Sequence, residues 1–204
     1  ITGFGRLGFA FAAERYGVLP DMITFAKGVT NGAAPMGGVL VRETIRNACE
    51  LHGLLSEYPN LVKRTSPAEP PVRLQAVCLC PPGSNIVCYA FRLAGASRPL
   101  AWLNALNRKL YERFSLKAGQ RVYDQGFFVS RTTLSPRQYS VETVGGFLKS
   151  LGVTEADYAS SGVFLLRSVL MNPWYSQSKK RGRYFLSELV SELYAAADEL
   201  SREG

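Results

Sequence analysis

The sequence predicts an α/β protein in two unequal pieces: a short strip containing glycine-rich turns, then a small two-layer α/β domain toward the C-terminal end. Three observations predict it. Apolar, β-rich runs alternate with amphipathic helical segments beyond residue 75. A proline-punctuated stretch sets that series apart from what precedes it. The first 46 residues offer only two short strands and the opening of a helix.

Taken in order, residues 22–25 read as a short strand and 38–42 as a second, and a helix opens near Glu43. Tyr58-Pro59, Ser66-Pro67 and Glu69-Pro70-Pro71 mark a seam over residues 47–74, because proline keeps the residue before it out of the helical region. Residues 75–79 and 85–91 are apolar strands parted by Pro81-Pro82-Gly83. Residues 100–114 are helical, with Leu103, Leu106, Leu110 and Phe114 on one face. Residues 126–134 alternate as a strand does, and 140–151 form a helix stopped by Gly152. Residues 162–171 make a strongly apolar strand ending at Asn172-Pro173. The closing helix, 182–202, turns Phe185, Leu189, Leu193 and Ala197 inward. The expected organisation is therefore 1–46, a seam over 47–74, and a domain over 75–204.

Composition bounds the function. At 204 residues the chain can bury a sizeable core, and 47% hydrophobic with 20% charged residues are globular values. The net charge of +8 is spread out, its densest cluster being Lys179-Lys180-Arg181-Gly182-Arg183. No aromatic-interleaved basic stripe accompanies that cluster, so a solvated helix entry is expected rather than a nucleic-acid surface. Cys49, Cys78, Cys80 and Cys88 lack metal-ligand spacing, and the single histidine, His52, is remote from the last three. Cys78, Cys80 and Cys88 sit in apolar runs and read as small buried hydrophobes, which implies a reducing, cytoplasmic setting. The opening residues have no signal-peptide core and no apolar run is long enough to span a membrane.

Lys27 carries most of the chemistry. It stands in Phe25-Ala26-Lys27-Gly28-Val29-Thr30-Asn31-Gly32, between an apolar run and a stretch ending Pro35-Met36-Gly37-Gly38. A lone amine on a strand end with small neighbours suits a Schiff-base lysine beside a planar cofactor. Gly3-Phe4-Gly5-Arg6-Leu7-Gly8 satisfies the dinucleotide fingerprint, but no strand can be shown before it, and Asp21 precedes a strand rather than ending one. Nicotinamide or flavin binding is not expected.

The run Ile1-Thr2-Gly3-Phe4-Gly5-Arg6-Leu7-Gly8, Ala13-Glu14, Tyr16-Gly17-Val18, Pro20-Asp21-Met22 and Ala26-Lys27-Gly28 resembles the class III pyridoxal-phosphate aminotransferases, in the branch of the omega-amino acid:pyruvate enzymes. The resemblance covers residues 1–46. It implies pyridoxal 5'-phosphate as cofactor, Lys27 as the lysine of the internal aldimine, and an amino donor with a 2-oxo acid as substrates, in a homodimer. The family's cofactor-pairing aspartate falls before Ile1, and the threonine expected after His52-Gly53 is replaced by Leu54-Leu55-Ser56. The resemblance thus implies the covalent anchor without most of the surrounding shell.

A second resemblance covers residues 75–200. Ser84-Asn85-Ile86-Val87-Cys88-Tyr89, Leu103-Asn104-Ala105-Leu106-Asn107-Arg108, Phe127-Phe128-Val129-Ser130-Arg131-Thr132-Thr133-Leu134 and Leu166-Arg167-Ser168-Val169-Leu170-Met171-Asn172-Pro173 are similar to the C-terminal domain of group II pyridoxal-dependent decarboxylases. Together the two imply a strip of a fold-type-I large domain followed by a small α/β domain. Transamination is the primary expectation, with amino-acid decarboxylation and a non-catalytic fusion or fragment as alternatives.

Three further arginines are candidates. Arg167 on the last apolar strand has the guanidinium geometry to grip a substrate carboxylate, or to make an ion pair at the sheet edge. Arg131 carries the same ambiguity, and Arg6 follows the glycine turn within reach of a cofactor or carboxylate. Tyr16 and Phe25 are expected in a core rather than stacked on a cofactor, and no metal site is expected.

Overall fold

The computed structural model describes all residues except 1–2, 27, 31–32, 35, 59–61, 64–71, 97, 122–123, 173 and 203–204. The strip opens with a single helical turn, α1 (Ala12–Arg15), followed by an antiparallel hairpin of β1 (Met22–Ala26) and β2 (Gly37–Val41), with a short 3-10 turn at Gly28–Thr30. The pairing runs from Met22 with Val41 to Ala26 with Gly37. The hairpin base is clamped where the Arg42 N–H donates to the Asp21 carbonyl and the side chains pair at 3.3 Å.

The rest is built on a five-stranded antiparallel sheet. Its strands are β3 (Val62–Lys63), β4 (Val72–Cys78), β5 (Ile86–Ala94), β6 (Ser130–Leu134) and β7 (Val163–Val169), in the spatial order β3-β4-β5-β7-β6. The helices are α2 (Glu43–Glu57), α3 (Leu100–Arg113), α4 (Val141–Leu151), α5 (Glu155–Ser161), α6 (Tyr175–Lys180) and α7 (Phe185–Leu200). Along β7, Phe164 and Leu166 enter one core while Val163 and Leu165 enter another, because successive side chains leave opposite faces of a strand. Buried residues of α2 and α7 fill the first core, and those of α4 and α5 the second. Helices therefore cover both faces, one layer more than the two read from the sequence. The continuous apolar run Val163-Phe164-Leu165-Leu166 is the pattern of a strand buried on both sides.

α3 lies where the sheet splits. β5 pairs with β7 only through Ile86–Tyr89, so beyond Tyr89 both strands lose that neighbour. Two asparagines one turn apart on α3 replace the missing ladder. Asn107, fully buried, accepts from the Phe91 N–H at 2.8 Å and donates to the Phe91 carbonyl at 2.9 Å. Asn104 accepts from the Phe164 N–H and donates to the Gly162 carbonyl. Buried strand edges left without partners would be costly, and these amides satisfy them. Gly162 is demanded by the same corner: its φ is +66°, and a Cβ there would lie 2.5 Å from the Leu134 carbonyl oxygen.

The expected seam over 47–74 is helix through Glu57 and strand again from Val72. Ala48, Leu51 and Leu55 repeat at helical spacing and are all fully buried, so residues 48–55 are core, while the prolines expected to mark the seam, at 59, 67, 70 and 71, lie outside the described residues. The strand expected over 126–134 begins at Ser130, and the closing helix begins at Phe185. α5 and α6 are additional short helices, α5 being started by Thr154, whose hydroxyl accepts from the Asp157 N–H.

Candidate functional site

Lys27 lies outside the described residues, so its surroundings are read from its neighbours. The hairpin brings Ala26 opposite Gly37 and Phe25 opposite Gly38, on either side of the turn that holds position 27. Thr30 steadies that turn by donating its hydroxyl to the Ala34 carbonyl at 2.7 Å. Phe25 packs edge-on to Phe4, which packs edge-on to Phe11, giving the strip a small aromatic contact of its own.

These neighbours do not fit an enclosed cofactor site. No described residue from Gly3 to Thr44 is buried. Two described glycines of the strip are tight, and both face the strip itself: a Cβ at Gly37 would lie 3.1 Å from the Phe25 carbonyl oxygen, and one at Gly38 would lie 2.7 Å from the Phe25 ring. Gly5, Gly8 and Gly17 have nothing near their missing side chains. A Schiff-base lysine needs a desolvated amine and a walled ring pocket; the described part of the strip supplies an exposed hairpin and open space.

The other sequence candidates separate. Arg6 is exposed in a turn held by the Phe4 N–H to the Ala10 carbonyl and the Gly8 N–H to the Gly5 carbonyl. Arg167 is half-buried in β7, where its Nε donates to Ser130 Oγ at 2.9 Å while that hydroxyl donates to the Arg167 carbonyl at 2.8 Å. It faces Cys88 across the ladder and makes no ion pair among the described residues. No hydrogen bond, ion pair or ring contact joins Arg6 to Arg167 among the described residues. Arg131 extends over the Tyr111 ring at 5.4 Å. Tyr16, expected in a core, is 72% exposed, and none of the described residues from Gly3 to Thr44 forms a core that could receive it; Phe25 is half-buried against Phe4.

Cys80, expected buried, is exposed beyond the end of β4, while Cys78 and Cys88 are half-buried. Burial pushes the Cys78 thiol up to about 11 and raises Cys88 as well, with the nearby Arg167 opposing the second shift. Such thiols are weak nucleophiles at neutral pH. No group of three His, Cys, Asp or Glu residues could hold a metal among the described residues, and none of the described helices is long and apolar enough to cross a membrane.

Sequence reasoning missed the polar seam between α2 and α6. Glu50 accepts from Tyr175 Oη at 2.8 Å and from Lys179 Nζ at 2.9 Å, and Ser176 bonds both Arg46 and Glu43. Burial and the bond to Glu50 both raise the Tyr175 phenol, so it stays a donor. Lys179 is thus tied to a carboxylate, which removes it from the free basic cluster read in the sequence. The available signal was the set of charged residues at helical spacing, Glu43, Arg46 and Glu50, but their partners lie about 130 residues away.

Comparison with known proteins divides the chain between the end of α2 and the start of β4. Residues 1–58 match the aminotransferase class-III family. Within this part the chain is 58% identical over 48 residues to the omega-aminotransferase of Caulobacter vibrioides. It is 56% identical over 45 residues to the omega-amino acid–pyruvate aminotransferase of Pseudomonas putida, and 53% identical over 45 to the putrescine–pyruvate aminotransferase of Pseudomonas aeruginosa. These stretches are 22–24% of this chain and 10–11% of the relatives, so the chain spans about a tenth of their length. The second family match is to the tyrosine decarboxylase C-terminal domain, over residues 71–193, which takes in β4 to β7 and α3 to α6 with most of α7. Because that match covers more than half of the 204 residues, the chain belongs to the tyrosine decarboxylase C-terminal family, with a class III aminotransferase segment at its head.

Proposed function

We propose that the protein works in pyridoxal-phosphate chemistry as an aminotransferase, moving an amino group from an amine or amino acid to a 2-oxo acid, with Lys27 as the residue that carries the cofactor. The observation behind this is the class III match over residues 1–58, which includes Lys27. Pyridoxal 5'-phosphate supplies an electron sink for bonds at the carbon bearing the amine. This chain's part is narrower: the β1–β2 hairpin fixes the lysine's two flanks, and Arg6 and Arg167 are the proposed carboxylate-binding groups. Because the described residues leave the lysine's surroundings open, the reading requires walls from elsewhere, and a homodimer is the arrangement proposed to supply them. A cytoplasmic setting without nucleic-acid partners goes with it. The cofactor-domain strip is proposed to end at Arg42, with α2 counted in the small domain.

The test is reductive trapping. The purified chain is mixed with pyridoxal phosphate, reduced with borohydride and mapped by peptide mass, alongside Lys27→Ala. The reading expects one dominant adduct at Lys27 and a visible absorbance band absent from the variant. Adducts scattered over many lysines, or no band, would leave the non-catalytic alternative standing. A second reading, decarboxylation, is favoured by the match over residues 71–193. Carboxyl-labelled amino acids separate the two: labelled carbon dioxide marks decarboxylation, and amino transfer to pyruvate with the label retained marks transamination.

A further inference from the structure

A cavity of about 140 Å³ opens among the end of β5, the start of α3 and the end of α4, lined by Arg92, Arg98, Trp102, Leu103, Leu151 and Ala96 among others. No acidic side chain lines it among the described residues. Arg92 Nη1 donates to the Ser150 carbonyl in the last turn of α4. The neighbouring carbonyls are already taken, since the Gly152 N–H goes to Lys149 and the Val153 N–H to Leu148. Gly152 ends α4 in the left-handed region at φ +73°, which favours glycine, and the Arg92 guanidinium lies in ordinary contact distance of this corner. This use of Nη1 leaves the other edge of the guanidinium, Nε and Nη2. Nε is buried and has no hydrogen-bond partner among the described residues, and burial lowers the guanidinium's pKa. Arg98 sits over the Trp102 ring at 5.4 Å, and neither arginine has a carboxylate partner among the described residues.

Arg92 is half-buried, and a buried donor of a cation left unused is unfavourable unless something completes it. We propose that the cavity binds a small carboxylate with an apolar body. Its two oxygens take the Nε–Nη2 edge of Arg92, Arg98 supplies a second positive charge, and the body rests on Trp102, Leu103 and Leu151. A planar two-donor edge matches the two oxygens of a carboxylate. The tetrahedral oxygens of a phosphate would bring further polar atoms against indole and leucine walls. The site shares no residue with the Lys27 segment and stands apart from the aminotransferase reading.

The probe is benzoate, titrated into the full chain carrying Trp174→Phe, which makes Trp102 the only indole. Trp102 fluorescence should change saturably with benzoate. Benzyl alcohol should bind at least ~10-fold more weakly, since it lacks the charge-assisted bonds. Arg92→Gln should weaken benzoate by a similar factor. Arg92 also closes the end of α4, so Ala96→Leu serves as the second variant: it keeps both guanidiniums, fills the cavity, and should abolish the response with an unchanged circular dichroism spectrum. The proposal is overturned by the absence of a saturable response, by phosphate at matched ionic strength acting as benzoate does, or by unaltered benzoate affinity in Ala96→Leu.

Discussion

Residues 3–44 and residues 45–200 differ in what each contributes. The first stretch holds the segment most similar to known enzymes, and among its described residues not one is buried. Every buried residue described lies between Ile45 and Ala197, most of them in two cores on opposite faces of one sheet. The signature of chemistry and the source of stability are thus carried by different parts of the chain. A family match reports ancestry of a segment; burial reports whether that segment can hold a reactive group dry. For the strip, the described surroundings supply the first without the second.

α2 is where the two parts meet. It falls within the aminotransferase match, yet Leu51 and Leu55 are fully buried in the core shared with β4 and α7. Tyr194 of α7 donates its hydroxyl to the Leu55 carbonyl at 2.8 Å and accepts from the Ala76 N–H at 3.0 Å, stitching α2 to β4. The largest expected effect follows from this. Leu55→Ala should cost ~2–5 kcal/mol, as large-to-small core changes do, and lower the urea midpoint accordingly. A loss below about 0.5 kcal/mol would mean that α2 is only laid on the domain.

Next is Asn107→Ala, which strips both polar groups of Phe91 of their side-chain partner in a dry corner. Leaving them unsatisfied should cost roughly 2–3 kcal/mol, measured by chemical denaturation. Little change would show that water completes the split in the sheet.

A smaller effect is expected at Cys78. Its folded pKa of about 11 exceeds the ordinary 9.0, so between those values the thiol ionises more readily in the unfolded chain. This contribution is intact below pH 9 and is lost as pH rises toward 11. Comparing urea midpoints at pH 8 and pH 10.5, the chain should lose more stability than Cys78→Ala does. At pH 8 iodoacetamide should modify the exposed Cys80 before Cys78. Smallest of all, Leu40→Ser on the half-exposed β2 should change global stability by no more than ~0.5 kcal/mol. A larger loss would show that the strip is packed against the domain.

Long periodic elements were legible in the sequence. The helices α3, α4 and α7 showed their apolar faces, Gly152 marked a stop, and the hairpin strands stood out between glycines. What was missed depended on distance. Prolines at 59 and beyond carry the local signature of a connector, although Ala48, Leu51 and Leu55 before them repeat at helical spacing. Asn104 and Asn107 read as polar residues on a helix; only the splayed strands reveal them as replacements for a ladder. Arg92 drew no notice because its meaning lies in Ser150, 58 residues away. Of the proposed site, Lys27 and Arg6 could be named from sequence, whereas the exposure of the described hairpin residues could not.

Hydrogen–deuterium exchange on the full chain, read by peptide, tests the contrast most directly. Amides of Met22–Ala26 and Gly37–Val41 should exchange orders of magnitude faster than those of β4, β5 and β7, because local opening of an unburied hairpin costs far less than opening a sheet packed on both faces. Equal, slow exchange in the hairpin and the sheet would contradict the account, and would mean that the strip holding Lys27 is enclosed after all.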